Sequence, residues 1–435
     1  MVSDTLSKLF FRPRAAIDVA WIRIVVFGYF LYKLLSRDYT VFGFAPPEIL
    51  SIYPTELFNF KLGYAAMGVP WVVSLATFHW VHWFLPLPDV TSLGIVQALA
   101  IACCAGVVVL GKGPRNLFAI GSFILISYLW GFNWRSGAEV DAVFMGMQMM
   151  LVYCFFREPE ALILSRKRAP LLQTTAGNGW LFSMALIVFS LYYFYSGINK
   201  VLDITYLDWF KYDLAQLIGE RYDYARVGHW FHVLPGFQFM RHYPIINVLF
   251  VPVSYLMELT IPAMFFRRDW VKYFAFFFLT FHTMTWAVSI LFFGNLIMWF
   301  SMIPVHRFMQ PVTLVWDSDC TFCGLWVNRL MRLNWLGLIQ PVGSAEALRN
   351  NAYRDAGWRP DIVETSIWVH GENSPVSHVA YDACRRLAWA TPLLWPLLPL
   401  LYMPGVGWAG ERVYAWVAAN RYRLGCATTA CQLPT

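Results

Sequence analysis

The sequence predicts a polytopic α-helical membrane protein that ends in a separate α/β domain, and three observations carry that expectation. Hydrophobic residues make up 58% of the 435 and charged residues only 14%, with a positive mean hydropathy, a balance far from that of a water-soluble domain. Apolar runs of about 20 residues, the length that crosses the hydrocarbon core as a helix, recur over the first three hundred positions. After residue 311 charges become frequent and the apolar runs shorten. Phe, Trp and Tyr at 18% suit the boundary between lipid and water. The net charge of +7 marks loop flanks rather than a nucleic-acid partner, because no basic, aromatic-interleaved surface accompanies it.

The opening MVSDTLSKLFFRPR is polar and basic, and the run after it is long enough to stay in the bilayer, so no removable signal peptide is expected. Spans are expected near 16–36, 91–110, 115–134, 138–156, 179–199, 245–266 and 271–292. An eighth tract at 70–88, rich in Trp and His and closed by prolines, either spans or lies in the interface. Reading it as re-entrant puts Lys8/Arg12/Arg14, Lys112/Arg115, Arg166/Lys167/Arg168 and Arg267/Arg268/Lys272 on one side, which positive-inside reasoning makes the cytoplasm. The result is seven spans, a cytoplasmic N-terminus, and an extracytoplasmic C-terminal domain on a protein of the bacterial inner membrane. A returning segment at 291–304, started by Gly294, would reverse the side of the tail. GKGPRN at 111–116 lacks the Lys-Ser/Thr that opens the helix of a phosphate loop and reads as a turn between spans.

In the tail, residues 311–435, PVTLVWD reads as a buried strand that hands over to a helix, CTFCGLWVNRLMRL. SIWVHG at 366–371 is a second strand. LLWPLLPLLYMPGVG at 393–407, apolar and broken by prolines, is expected to pack on the membrane part or in the interface. Cys320 and Cys323 sit where strand becomes helix, so backbone N–H groups and the helix dipole stabilise a thiolate at Cys320. Cys320 is therefore the expected attacking sulfur, and Cys323 the one that resolves a mixed disulfide. The competing reading is half of a zinc site completed by Cys426 and Cys431; under the redox reading those two form a second dithiol or a static disulfide. Redox is preferred and no metal is expected.

The tail resembles the DCC family of thiol-disulfide oxidoreductases, whose pattern is a strand, Asp-x-Asp-Cys-x-x-Cys, and a late Tyr-x-x-x-Ala-x-Asn-Arg-Tyr-type helix. VWDSDCTFC and VYAWVAANRYRLG match its two ends, in order, over about 311–425. The resemblance implies a thioredoxin-like fold with Asp317, Asp319, Cys320 and Cys323 at the site, and Ser318 stands where the family usually has Gly.

Two polar features interrupt the membrane part. LYYFYSGINKVLD at 191–203 places Lys200 and Asp203 at the end of an apolar helix, where a lysine either serves chemistry or snorkels to the interface. FLTFHTMTWAVSILFFGN at 278–295 buries His282, either a functional group or a core histidine hydrogen-bonded to a neighbouring helix. YYFYSGINK and FHTM resemble the HTTM domain shared with vitamin K-dependent gamma-carboxylase, over about residues 10–305 of an N-terminal domain taken as 1–305. That resemblance makes Lys200 the candidate base for hydroquinone chemistry, with His282 lining the same cavity, and implies a quinone or hydroquinone cofactor. WRSGAEVDAVF, with Glu139 and Asp141, replaces the carboxylase histidine, and the carboxylase's large luminal domain is missing.

Three functions follow in order of preference. The first is a membrane-bound thiol-disulfide oxidoreductase coupled to quinone chemistry; the second modifies a peptide or lipid in the manner of the carboxylase, beside an independent disulfide-reducing domain. The third is a membrane-anchored metal-binding or structural module. The expected partners are the lipid bilayer and a lipid-soluble or peptide thiol substrate.

Overall fold

In a computed structural model the described residues are 7–44, 88–133, 140–164, 169–202, 242–289, 295–363, 365–371 and 376–425. The chain divides into two compact units, Met1–Ile303 and Pro304–Thr435.

The first unit is helical: α1 (Ala16–Ser36), α2 (Val90–Leu110), α3 (Leu117–Asn133), α4 (Val140–Cys154), α5 (Ala176–Leu202), α6 (Pro244–Thr260), α7 (Val271–Ser289) and α8 (Asn295–Ser301). Ala16–Ser36, Val90–Leu110 and Ala176–Ile198 are long and apolar enough to cross a membrane. Each expected apolar run with described residues forms a helix. α2 shows how the sequence sets the bounds: Asp89 caps its start by accepting from the Ser92 N–H at 2.8 Å, and Gly111, at φ 83°, ends it, as only glycine does cheaply there. Between those caps α2 is apolar all round and leaves Ile95, Leu99, Val109 and Leu110 exposed, a surface that fits lipid. The 70–87 tract lies outside the described residues.

Polar groups lock the loops at one end of this unit. Arg23, fully buried, pairs with Glu160 at 3.2 Å and donates to the carbonyls of Ala161 and Leu162 at 3.1 and 2.8 Å. Tyr153 donates to the same carboxylate. The Lys112 ammonium donates to the carbonyls of Phe156 and Glu158, which gives GKGPRN a structural job in a turn. Arg268 donates to the carbonyl of Leu9 and the hydroxyl of Ser183, and Arg14–Ala15 pairs antiparallel with Thr174–Thr175. The basic segments around 8–14, 112–115 and 267–272 therefore gather at one end.

At the opposite end Gln97, near the start of α2, donates to the carbonyls of Leu34 and Arg37, at the close of α1. Phe44 and Pro88, which flank the undescribed stretch, thus lie at the same end of the bundle. The last helix, α8, runs back toward the basic end. Met298 lies near Gly146 in the middle of the bundle, whereas the carbonyl of Phe300 accepts from the Trp21 indole at 2.7 Å, little more than one turn into α1.

The second unit is built as β1 (Val312–Trp316), α9 (Thr321–Leu333), β2 (Ile339–Gly343), β3 (Trp368–Gly371), β4 (Ser377–Val379), α10 (Ala380–Ala390) and α11 (Val406–Gly425). The sheet runs β2-β1-β3-β4, with β1 parallel to β2 and antiparallel to β3, and β3 antiparallel to β4. This is a thioredoxin-type arrangement, a β-α-β crossover followed by a hairpin and a helix. VTLVW forms the central strand because it is almost continuously apolar and buried: Val312, Leu314 and Val315 are at most 1% exposed. Asn334 closes the crossover, its amide bonding both the C=O and the N–H of Ile339. The 393–407 tract forms a 3-10 turn, Pro392–Leu397, and a short helix, Leu398–Leu401, and leaves Leu393, Leu397, Leu400, Tyr402 and Met403 exposed.

Candidate active site

Cys320 and Cys323 form a disulfide with Cα atoms 5.2 Å apart, inside the range that a bridge spans without backbone movement. Cys320 is the N-cap of α9, and its sulfur accepts from the Cys323 N–H at 3.2 Å. The strand-to-helix handover thus aims an otherwise orphan helix donor at one sulfur, and such a donor favours the thiolate form. The two sulfurs differ in access: Cys320 is 1% exposed, whereas Cys323 is half-buried.

The acidic pair of the motif also divides. Asp317 is buried, and one carboxylate oxygen accepts from the Asp319 N–H at 3.0 Å, which shapes the turn into the dithiol. Its other oxygen meets the Arg421 guanidinium at 3.0 Å, with both side chains largely out of solvent. Asp319 is exposed. Ser318 donates its N–H to the Ser344 hydroxyl and shares a 2.8 Å bond with it, so the side chain absent from the usual Gly ties this loop to the turn after β2. Arg421 belongs to the ANRYR stretch recognised at the far end of the domain, and only the fold shows that it reaches Asp317.

Between α9, α10 and α11 lies a cavity of about 500 Å³. Phe322, Cys323, Trp326 and Leu330 form one wall, Tyr381, Cys384 and Leu387 a second, and Val413, Tyr414, Val417 and Arg421 a third. It is apolar almost throughout. Tyr414 anchors its own wall by accepting from the Ile367 N–H at 2.8 Å, and burial pushes its phenol up to about 12. Burial, reinforced by the Glu411 carboxylate, pushes the Cys384 thiol up to about 11, so this third sulfur stays a protonated, poorly nucleophilic thiol at neutral pH. Nothing in the spacing of Cys384 along the sequence links it to Cys323; only the fold brings both to one cavity.

In the helical unit His282 is buried and shares a 2.8 Å bond from Nε2 with the Tyr193 hydroxyl, which in turn accepts from the Trp299 indole at 2.8 Å. The Tyr193 hydroxyl thus links α5, α7 and α8 through His282 and Trp299. At Gly197 of the YYFYSGINK stretch α6 packs closely: a Cβ there would lie 3.1 Å from Glu258 Cβ. Lys200 falls in the last turn of α5, its side chain outside the described residues. So do the side chain of Asp141 and the whole of Glu139, Asp203, Cys426 and Cys431. A second cavity, of about 660 Å³, lies between α5 and the end of α6 and is lined by Leu191, Phe194, Leu259 and Phe265 with Ser190 and Thr260. Ser190 Oγ is buried and has no hydrogen-bond partner among the described residues. Among the described residues no group of three or more His, Cys, Asp or Glu is placed to hold a metal ion.

Residues 314–427 match the family model of DCC1-like thiol-disulfide oxidoreductases, a stretch that begins in β1 and takes in both cysteines and all of α11. No curated protein and no solved structure matches the chain. The C-terminal unit is thus a DCC-family thiol-disulfide oxidoreductase domain, and its Cys320–Cys323 pair carries catalytic thiol-disulfide chemistry.

Proposed function

We propose that the dithiol of this DCC-family domain supplies electrons to quinone-type chemistry in an HTTM-like helical unit. The observation that carries the redox part is the Cys320–Cys323 bridge at the N-cap of α9, in a chain that also holds helices of membrane-crossing length. Dithiol to disulfide releases two electrons and two protons, the amount that turns a quinone into a hydroquinone. The cavity between α5 and α6 fits such a ring in size and apolar lining, within the range usual for small-molecule sites. Ser190 would hold a carbonyl oxygen through its unused hydroxyl, and Lys200, further along α5, is the candidate proton-handling base. A bound quinone would supply the two-electron acceptor that side chains lack. His282 would act by orienting Tyr193 rather than by touching the ring.

The sidedness we propose departs from the sequence expectation of an extracytoplasmic tail. That expectation held only if 291–304 did not return, and α8 runs back to the end where the basic segments gather. Positive-inside reasoning makes that end cytoplasmic, so the tail follows on the cytoplasmic side, where cellular thiols keep the dithiol reduced. Two measurements test the proposal. The reduced full-length protein, mixed with a ubiquinone analogue, should show a quinone absorption change that Cys320→Ser abolishes; no change in the wild type sinks the coupling. Thiol-specific, membrane-impermeant labelling should reach Cys323 only after cell lysis, and labelling in intact cells refutes the sidedness.

A further inference from the structure

The two sulfurs of the bridge face different surroundings. Cys320 is closed off at 1% exposure and its sulfur is engaged by the Cys323 N–H. Cys323 forms part of the wall of the 500 Å³ cavity, and Cys320 does not. The rest of that wall is mostly aromatic and aliphatic, with Phe322, Trp326, Val413 and Val417 among its residues. Its one cation, Arg421, is already held by Asp317, so nothing there favours a charged substrate. A recess of this size and apolar lining falls within the range usual for small-molecule sites.

We infer that Cys323 is the sulfur through which the bridge exchanges with its substrate, and that the substrate is a small apolar thiol bound in the cavity beside it. This rests on the thiol-disulfide reading above and reverses the roles expected from the sequence. The chemistry balances with two thiols. The thiolate of the first attacks Sγ of Cys323; the bond from Cys323 to Cys320 breaks, and Cys320 leaves as a thiolate received by the Cys323 N–H and the start of α9. The second thiol attacks the substrate sulfur of the mixed disulfide, freeing Cys323 and departing as the oxidised substrate disulfide. The two protons lost by the substrate thiols end on Cys320 and Cys323. Attack at Cys323 is also the faster choice, because exchange speeds up when the leaving thiol is the better-stabilised thiolate, and that one is Cys320. Cys384, in the opposite wall, stays out of the exchange as a protonated thiol.

The test uses the oxidised full-length protein in detergent and two thiols of similar acidity, apolar benzyl mercaptan and polar 2-mercaptoethanol. Benzyl mercaptan should reduce the bridge at least tenfold faster, and Ala418→Trp, which fills the cavity, should remove that preference. Treated with dibenzyl disulfide, Cys320→Ser should carry a benzylthio adduct on Cys323 by peptide mass spectrometry, while Cys323→Ser should leave Cys320 unmodified. Equal rates for the two thiols in the wild type, or an adduct on Cys320 with none on Cys323, overturns this inference and leaves thiol-disulfide exchange standing. A bridge that neither thiol reduces overturns both.

Discussion

The ion pair between Asp317 and Arg421 offers the sharpest quantitative test of how the site is held. The two groups meet at 3.0 Å with side-chain exposures of 11% and 6%, so replacing Arg421 by Leu leaves a carboxylate in a largely desolvated site. Removing one partner of a buried pair costs about 3–5 kcal/mol, most of it the penalty on the charge left behind. At roughly 1.4 kcal/mol per factor of ten, the central amides of β1 should lose about two to three and a half orders of magnitude of hydrogen-exchange protection. Measured by mass spectrometry on the full-length protein, that loss should be confined to peptides of the C-terminal unit. The double variant Asp317→Leu/Arg421→Leu should recover most of it, since an apolar pair leaves no stranded charge. A loss below tenfold in Arg421→Leu, or a double variant no better than the single one, would refute the reasoning, because the carboxylate would then be adequately solvated without the guanidinium.

Other expectations follow from the packing. The Cys384 thiol, raised from an ordinary value near 9 to about 11, stays protonated in the fold while the unfolded chain ionises. Stability therefore holds below pH 9 and falls as pH rises from 9 to about 11, by on the order of 3 kcal/mol. Pulse proteolysis in urea across that window should show a shallower fall in Cys384→Ala. At Gly410 a Cβ would overlap the Tyr381 ring, so Gly410→Val should force α10 and α11 apart, costing about 1–3 kcal/mol as read in the urea midpoint for cleavage of the C-terminal unit. In the helical unit, Arg23→Lys should fail to rescue what Arg23→Ala loses in detergent thermal stability, because the fork serving Glu160 and two carbonyls has no equivalent in an ammonium. Equal stability of Arg23→Lys and wild type would show that charge alone suffices.

The helices of the first unit were legible because a lipid-crossing segment is specified by length and apolarity, a signal local to the chain. The direction of α8 was not. The seven residues NLIMWFS look the same whichever way they run, and it is the Trp21 indole, from the first helix, that reveals it. In the C-terminal unit the VTLVW strand and the cysteines at its helical end were readable from pattern alone. The Arg421 partner of Asp317 was hidden, since more than a hundred residues separate them and charge pairing carries no periodicity. Which sulfur is the more open was also hidden: a helix N-terminus marks Cys320 in sequence, but the fold leaves Cys320 at 1% exposure and Cys323 half-buried.

The contact between Asp317 and Arg421 also bears on when the site comes into being as the chain is made. β1, α9 and the cysteines are synthesised first, yet the guanidinium that neutralises the turn and the wall that closes the cavity arrive with α11. Until that helix docks, the turn before the cysteines carries an uncompensated carboxylate and the cavity lacks its third wall. On the inference drawn above, selectivity for an apolar substrate would be acquired last, and a chain cut before Val406 would keep the cysteine motif while losing the wall formed by Val413, Tyr414 and Val417.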